Sequence, residues 1–181
     1  MLPAPKLTVP RKQTGFICRR FDPDRIAEIK AQYGPSIFIT CGKSADLNNI
    51  QIDNWSGTIF ATSGINITAT GNATVVQLPV ETFDTHNYLA ASDIVIAKAG
   101  WGTISEALLS KRNLVLIERE GVLEDTENIE ELKRRGVAVS IKESDLARID
   151  MQAISDLIED NIIRENLDAY ENAIGDILRA L

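Results

Sequence analysis

Short apolar runs rich in β-branched residues alternate along the chain with stretches whose apolar residues recur at helical spacing. The runs predict six strands, at residues 36–41, 57–62, 73–78, 94–97, 114–117 and 137–141. The other stretches predict helices at residues 21–33, 84–91, 103–109, 125–135, 150–159 and 162–181. Strands covered on both faces of a parallel sheet have this near-continuous apolar character. The alternation therefore predicts an α/β fold, a Rossmann-like, doubly wound parallel sheet of about six strands with right-handed crossovers.

Three segments fall outside this alternation. Residues 45–56 fit one or two helical turns, but their asparagines favour a loop, and residues 65–72 are polar and turn-like. Residues 1–14 contain three prolines, which favour extended conformations. We expect residues 1–14 to be a linker remnant and residues 15–181 to form one domain.

Composition narrows the possible functions. A length of 181 residues suits one well-filled α/β domain. The formal net charge of −7 argues against a protein that binds a nucleic acid backbone, since such proteins present a basic face. No apolar run approaches the length of a membrane span, and the first residues lack the apolar core of a signal peptide. We expect a cytoplasmic protein in which Cys18 and Cys41 are free thiols.

The stretch after the fourth predicted strand carries the most chemistry. Gly100 and Gly102 allow a sharp turn and the close approach of a ligand, and Thr103 is expected to cap the next helix. Free N–H groups and the positive end of the helix dipole meet there, which suits a phosphate. Glu106, one turn further, offers two acceptor oxygens to the two hydroxyls of a ribose. The alternative is a capping box of Thr103 and Glu106, with the glycines serving only the turn.

A second glycine loop follows the first predicted strand, at Gly42, Lys43 and Ser44. In a doubly wound order the first and fourth strands are neighbours, so both glycine loops would face one crevice at the topological switch point. The alternative is a simple turn that carries an exposed lysine.

Polar residues also follow the fifth predicted strand. Glu124, Asp125 and Asn128 could bind sugar hydroxyls at the same edge, although acids in the first turn of a helix also serve its dipole. His86 is the only histidine, which excludes a multi-histidine metal centre. It could act as a general base, but a surface or packing role is the expected one. Trp101 could cover a ligand or pack on the sheet edge, and packing is the expected role.

Together these residues resemble a known family. The run Thr14 to Ile17 ahead of a strand with a glycine loop, and the run Ala91 to Ile96 leading into Gly100 to Ala107, resemble the C-terminal, donor-binding domain of GT-B glycosyltransferases. The most similar group contains the peptidoglycan lipid II N-acetylglucosaminyltransferase and the plant galactolipid synthases. The resemblance covers residues 14–181 and is strongest from 73 to 141.

The resemblance implies a role for each segment. The nucleobase would contact Leu78 and Val80, and the donor sugar would contact Glu124, Asp125 and Asn128. The diphosphate would contact residues of the two glycine loops and of the helix start: Gly42, Lys43, Ser44, Gly100, Gly102, Thr103 and Ser105. Glu106 matches the ribose-binding acid. Glu124 and Asp125 stand where the family often has glutamines, and a histidine common before the glycine turn is absent, with Lys98 in that neighbourhood.

The implied function is that of a donor-binding domain in an inverting, metal-independent glycosyltransferase that uses a UDP-sugar as substrate and no cofactor. The catalytic base and any membrane contact would come from an N-terminal acceptor-binding domain, either the missing half of a longer enzyme or a separate subunit. The proline-rich start favours the missing half. This chain alone is expected to bind nucleotide without transferring sugar. A UDP-sugar hydrolase, a 2-epimerase and a non-catalytic assembly subunit remain alternatives.

Overall fold

A parallel sheet forms the centre of the molecule. The computed structural model describes residues 15–41, 49–171 and 173, and within them the chain forms nine strands. They are β1 Ser36–Thr40, β2 Ile50–Asp53, β3 Thr58–Ala61, β4 Ile67–Ala69, β5 Thr74–Gln77, β6 Ile94–Lys98, β7 Asn113–Glu118, β8 Ala138–Lys142 and β9 Arg148–Asp150. Six strands pair in parallel in the order β5-β3-β1-β6-β7-β8. The predicted doubly wound sheet is confirmed, with each predicted strand within one residue of its expected bounds.

Helices pack on both faces of this sheet. They are α1 Pro23–Tyr33, α2 Thr85–Ala91, α3 Trp101–Leu109, α4 Leu123–Arg134, α5 Met151–Asn161 and α6 Arg164–Asp168, with a 3₁₀ helix at Glu143–Ala147. The last predicted helix, 162–181, is represented by α6, and most of its remainder lies outside the described residues. No helix in the described ranges is long and apolar enough to cross a bilayer.

Helix α1 forms where local capping chemistry predicts it. The Asp22 carboxylate accepts hydrogen bonds from the backbone N–H groups of Asp24 and Arg25, at 3.1 and 3.2 Å. Pro23 occupies the first helical position, where its missing N–H has no consequence. Gly34 ends the helix with a φ of 66°, in the left-handed region that glycine adopts most readily.

Two apolar layers cover the sheet, because alternate residues of each strand face opposite sides. On one side Phe38, Val95 and Leu114 pack against the layer of α1 to α4. On the other side Ile39 and Ile96 pack with residues of a smaller sheet and of α5. The middle residues of β6 are therefore buried on both faces.

The switch point lies between β1 and β6. These strands pair in parallel, with Ile37 opposite Ile94 and Thr40 opposite Ala97, so their carboxyl ends finish together. From this point the chain winds outward in both directions along the sheet. The predicted neighbouring of the first and fourth main strands is confirmed.

A second sheet, β4-β2-β9, was not predicted. The expected loop or helical turn at 45–56 contains β2, and the expected turn at 65–72 contains β4. The asparagines that favoured a loop flank the strand: Asn49 and Asn54 have φ values of 70° and 58° on either side of β2. Since these strands have only three or four residues, the turn residues around them outweighed their own apolar signal.

A buried carboxylate joins the three strands of the smaller sheet. Asp53 on β2 accepts hydrogen bonds from Gln51 at 3.0 Å, from Thr70 at 2.8 Å and from Arg148 at 2.5 Å. The hydrogen bonds from Gln51, Arg148 and Thr70 lower the pKa of Asp53 from an ordinary 3.8 to about 2. These bonds stabilise the ionised form and tie the smaller sheet together.

Cys18 and Cys41 are not joined in a disulfide, as predicted. Burial raises the pKa of Cys41 to about 12. Burial, together with the nearby charge of Glu106, raises the pKa of Cys18 to about 11. Neither thiol is therefore in the ionised, reactive form near neutral pH.

Replacing Asp53 tests the role of this carboxylate. Because its pKa is lower in the folded than in the unfolded state, protonation favours unfolding as the pH falls from about 4 to about 2. We expect Asp53→Asn to lower the urea midpoint at pH 7 and to flatten the loss of stability over that acid range. Urea titrations monitored by circular dichroism check this, with Asp160→Asn on α5 as the control. An unchanged midpoint and an unchanged acid profile would contradict it.

Candidate functional site

Helix α3 begins immediately after β6. Gly100 is the N-cap, and the N–H of Ile104 donates to its carbonyl at 3.0 Å. The predicted cap at Thr103 is wrong, because Thr103 is the third residue of the helix and no side chain caps the start. The capping-box alternative is wrong for the same reason. The N–H groups of Trp101, Gly102 and Thr103 thus have no acceptor within the helix.

The two glycines leave space over these N–H groups. Gly100 has a φ of −80°, and Gly102 is not among the residues with positive φ, so the turn does not require either glycine. A Cβ on Gly102 would have no atom of the described residues within 4 Å. Among the described residues beyond its chain neighbours, a Cβ on Gly100 would meet the Cε of Lys98, at 3.9 Å. As far as the described residues show, the backbone at the start of α3 is therefore open to a ligand, and a role in the turn does not explain the glycines.

Glu106 lies one turn further along α3 and is held by the N-terminal segment. Its side chain is 14% exposed. Both Nε and Nη2 of Arg19 lie 2.9 Å from Oε1 of Glu106. Arg19 also donates from Nη1 to the carbonyl of Phe83 at 2.9 Å. The residue predicted to bind ribose is therefore in an ion pair that connects α3 to the loop after β5.

The first turns of α4 lie against the glycine turn. Asn128 is buried and donates from Nδ2 to the carbonyl of Ala99 at 3.3 Å, which brings together two segments that the sequence placed in one crevice. Asp125 is also buried and accepts from Nε of Arg119 at 2.6 Å, a bond that raises the pKa of Arg119. Of the three residues predicted to bind the sugar, Glu124 is exposed, whereas Asp125 has one oxygen engaged in this ion pair.

The segment predicted to hold the nucleobase begins at the end of β5. The N–H of Leu78 donates to the carbonyl of Ala61 at 2.8 Å, because Leu78 extends the pairing of β5 with β3. That N–H is occupied and is not open to a nucleobase. Val80 is exposed, and the ring of Phe83 further along the loop is 88% exposed.

Two further predicted residues have packing contacts. His86 Nε2 lies 3.0 Å from the carbonyl of Arg20, and its ring lies beside that of Phe21. Trp101 lies against Phe16, with ring centroids 5.7 Å apart, and the residue is 49% exposed. Ser105 is buried in the first half of α3. The predicted loop of Gly42, Lys43 and Ser44 lies outside the described residues.

Comparison with protein families identifies this arrangement. The family model of the glycosyltransferase family 28 C-terminal domain matches residues 24–173. The chain belongs to this family.

Solved structures with a similar fold agree with this assignment. SnogD from Streptomyces nogalater has a TM-score of 0.53 and 16% identity, over 81% of this chain and 42% of that one. MurG of Acinetobacter baumannii has a TM-score of 0.53 and 16% identity, over 86% of this chain and 52% of that one. Arabidopsis thaliana UGT89C1, complexed with UDP-L-rhamnose, has a TM-score of 0.50 and 11% identity, over 80% and 40%. A comparison with curated proteins gives no match.

These likenesses define the fold of the family 28 domain. It is the fold of GT-B C-terminal domains, as the resemblance implied. The chain spans about half or less of the length of the three solved proteins.

Sequence reasoning missed Arg19 as a site residue of this domain. It is separated from Glu106 by 87 positions, and neither residue carries a local signal of the contact. Arg119 was missed for a different reason, because the acidic residues around it were interpreted as ligands for sugar hydroxyls. Only the folded chain shows that Arg119 pairs with Asp125.

The glycines of the family 28 domain should differ in their tolerance of a side chain. We expect Gly102→Ala to fold normally and to gain up to about 1 kcal/mol of stability, since alanine favours a helix and its Cβ meets no atom of the described residues. Gly136→Ala should lose about 1–2 kcal/mol, because φ is +65° and a Cβ would lie 3.0 Å from Cδ1 of Ile163. Thermal melts of the two variants check this, and a large loss in Gly102→Ala would contradict it.

Proposed function

We propose that the chain binds the nucleotide-sugar donor of a glycosyltransferase, with the donor's diphosphate at the N-terminus of α3. The start of α3 carries the proposal: its first N–H groups lack acceptors in the helix, and no described residue beyond the helix's own backbone comes within 4 Å of a Cβ at Gly102. Such a helix end concentrates N–H donors and positive potential on an anion. Membership of the family supports a glycosyl donor, and UGT89C1, similar in fold, is complexed with UDP-L-rhamnose.

The rest of the donor would extend from this point across the crevice. The ribose would bind Glu106, and the nucleobase would lie near Val80 and the carbonyl side of Leu78, with uracil as the expected base. Thr103 and Ser105 would complete the diphosphate site with the loop at Gly42, Lys43 and Ser44. The sugar would contact Asn128 and Glu124, with Asp125 contributing through its pairing with Arg119.

The chemistry would depend on stabilising the leaving diphosphate. Negative charge develops on that group as the glycosidic bond breaks, and fixed N–H dipoles at a helix end stabilise it without reorganising. This arrangement would serve a metal-independent transfer, with the acceptor and its base supplied by an N-terminal domain or subunit, and the family resemblance implies that the transfer is inverting. The isolated chain would then bind the donor and leave it intact.

Calorimetric titration with UDP, UDP-N-acetylglucosamine, UDP-galactose and GDP tests the proposal. We expect the uridine nucleotides to bind and Glu106→Gln to weaken them about tenfold or more, since an amide offers one acceptor oxygen where the carboxylate offers two. Glu159→Gln on the exposed face of α5 is the matched control. Failure of every nucleotide to bind would reject the proposal in favour of an assembly subunit. Release of UDP from a UDP-sugar by this chain alone would favour the hydrolase.

A methyl group at Gly102 provides an independent test of where the diphosphate lies. A Cβ on a helix is tilted toward the N-terminus, so the alanine methyl would project into the proposed phosphate position. We expect Gly102→Ala to weaken UDP about tenfold, through lost hydrogen bonds to the anion, and to leave the affinity for uridine unchanged. Equal effects on UDP and uridine would place the diphosphate elsewhere.

A further inference from the structure

We propose that Arg19 is a positioning residue that aims the carboxylate of Glu106 at the nucleoside hydroxyls and so sets the preference for ribose over deoxyribose. The inference rests on the proposed function, because it takes Glu106 as the ribose ligand. Arg19 approaches Glu106 through two nitrogens, Nε and Nη2, and both bind the same oxygen, Oε1. The second oxygen, Oε2, accepts no hydrogen bond from the described residues.

This one-sided contact leaves acceptor capacity for a diol. An ionised carboxylate has about four lone-pair positions, two on each oxygen. The two N–H groups of Arg19 fill those of Oε1, and Oε2 keeps two for the two hydroxyls of a ribose. The guanidinium also fixes the position of Oε1, because its two donors are held in a rigid fork.

The backbone around Arg19 is anchored on both sides, which fixes where its half-exposed side chain begins. Before it, Phe16 packs between Trp101 and Tyr170, with centroids 5.7 and 5.3 Å away. After it, the carbonyl of Arg20 lies 3.0 Å from His86 Nε2, and the N–H of Asp22 donates to Asn87 at 3.0 Å. The segment is therefore held against α3 before Arg19 and against α2 after it.

The remaining contacts of Arg19 connect the two sides of the proposed nucleoside site. Nη1 donates to the carbonyl of Phe83 at 2.9 Å, and Nη2 lies 3.4 Å from Oγ1 of Thr85. Glu106 stands on α3, whereas Phe83 and Thr85 belong to the segment that follows β5. Arg19 thus sets the distance between the ribose ligand and the loop expected to hold the base.

The test compares UDP with 2′-deoxy-UDP in calorimetric titrations of the unmodified chain and of three variants. We expect the unmodified chain to prefer UDP about tenfold and Arg19→Ala to reduce that preference to about twofold. Arg19→Lys should behave like Arg19→Ala, because lysine restores the charge without the fork of two donors. Arg20→Ala removes the same charge from the next position and should leave the preference unchanged.

A double-mutant comparison ties the effect to Glu106. In a Glu106→Gln background the Arg19→Ala change should alter the UDP to 2′-deoxy-UDP ratio no further, since the two residues act as one unit. Circular dichroism melts confirm folding, and the lysine variant serves where the alanine variant does not fold.

Each other outcome overturns the inference in a recognisable way. A preference for UDP that survives in Arg19→Ala rejects it while leaving the donor site intact. Equal weakening of both nucleotides, rescued by lysine, assigns Arg19 to the phosphates instead. Tighter binding of UDP by Arg19→Ala would show that the ion pair obstructs the ligand. No nucleotide binding by the unmodified chain rejects the proposed function itself.

Discussion

Three backbone N–H groups at the start of α3 have no acceptor within their helix, and no side chain among the described residues caps that end. The helix begins directly after β6, whose first four residues are buried, so the packed strand fixes where these N–H groups start. The turn between β6 and α3 is also held by α4, because Nδ2 of Asn128 donates to the carbonyl of Ala99. Donors fixed in this way need not reorganise when an anion arrives, and this preorganisation gives a helix end its value in catalysis.

The backbone conformation of the turn before α3 does not require its two glycines. Neither Gly100 nor Gly102 has the positive φ that would demand glycine, and no described atom would touch a Cβ at Gly102. Gly136 differs, since its φ and its contact with Ile163 both exclude a side chain. Because no backbone or packing constraint among the described residues requires glycine at position 102, a ligand that lies close to the main chain explains Gly102 better.

The six main strands and their order follow from sequence because the central ones, such as β1 and β6, are near-continuous apolar runs that a doubly covered sheet buries. The smaller sheet escapes prediction because β2 and β4 are short and flanked by residues such as Asn49 and Asn54 that usually mark loops. The start of α3 was misplaced because Thr103 is a good cap by type, whereas the end of the buried strand decides where the helix begins. The pairing of Arg19 with Glu106 had no local signal, since it depends on the path of the chain across α2 and α3.

The electrostatics of the site follow from that pairing. The chain carries a formal net charge of −7, and Glu106 lies about one turn, or about 5.4 Å along the axis, from the N–H groups proposed to bind a diphosphate. An isolated carboxylate there would repel the anion through a partly buried, weakly screened path. Arg19 offsets the charge of Glu106 while leaving one of its oxygens open, so the positive end of α3 is not cancelled. In the proposed donor site, Arg19 therefore offsets the charge of the carboxylate that shares α3 with the diphosphate.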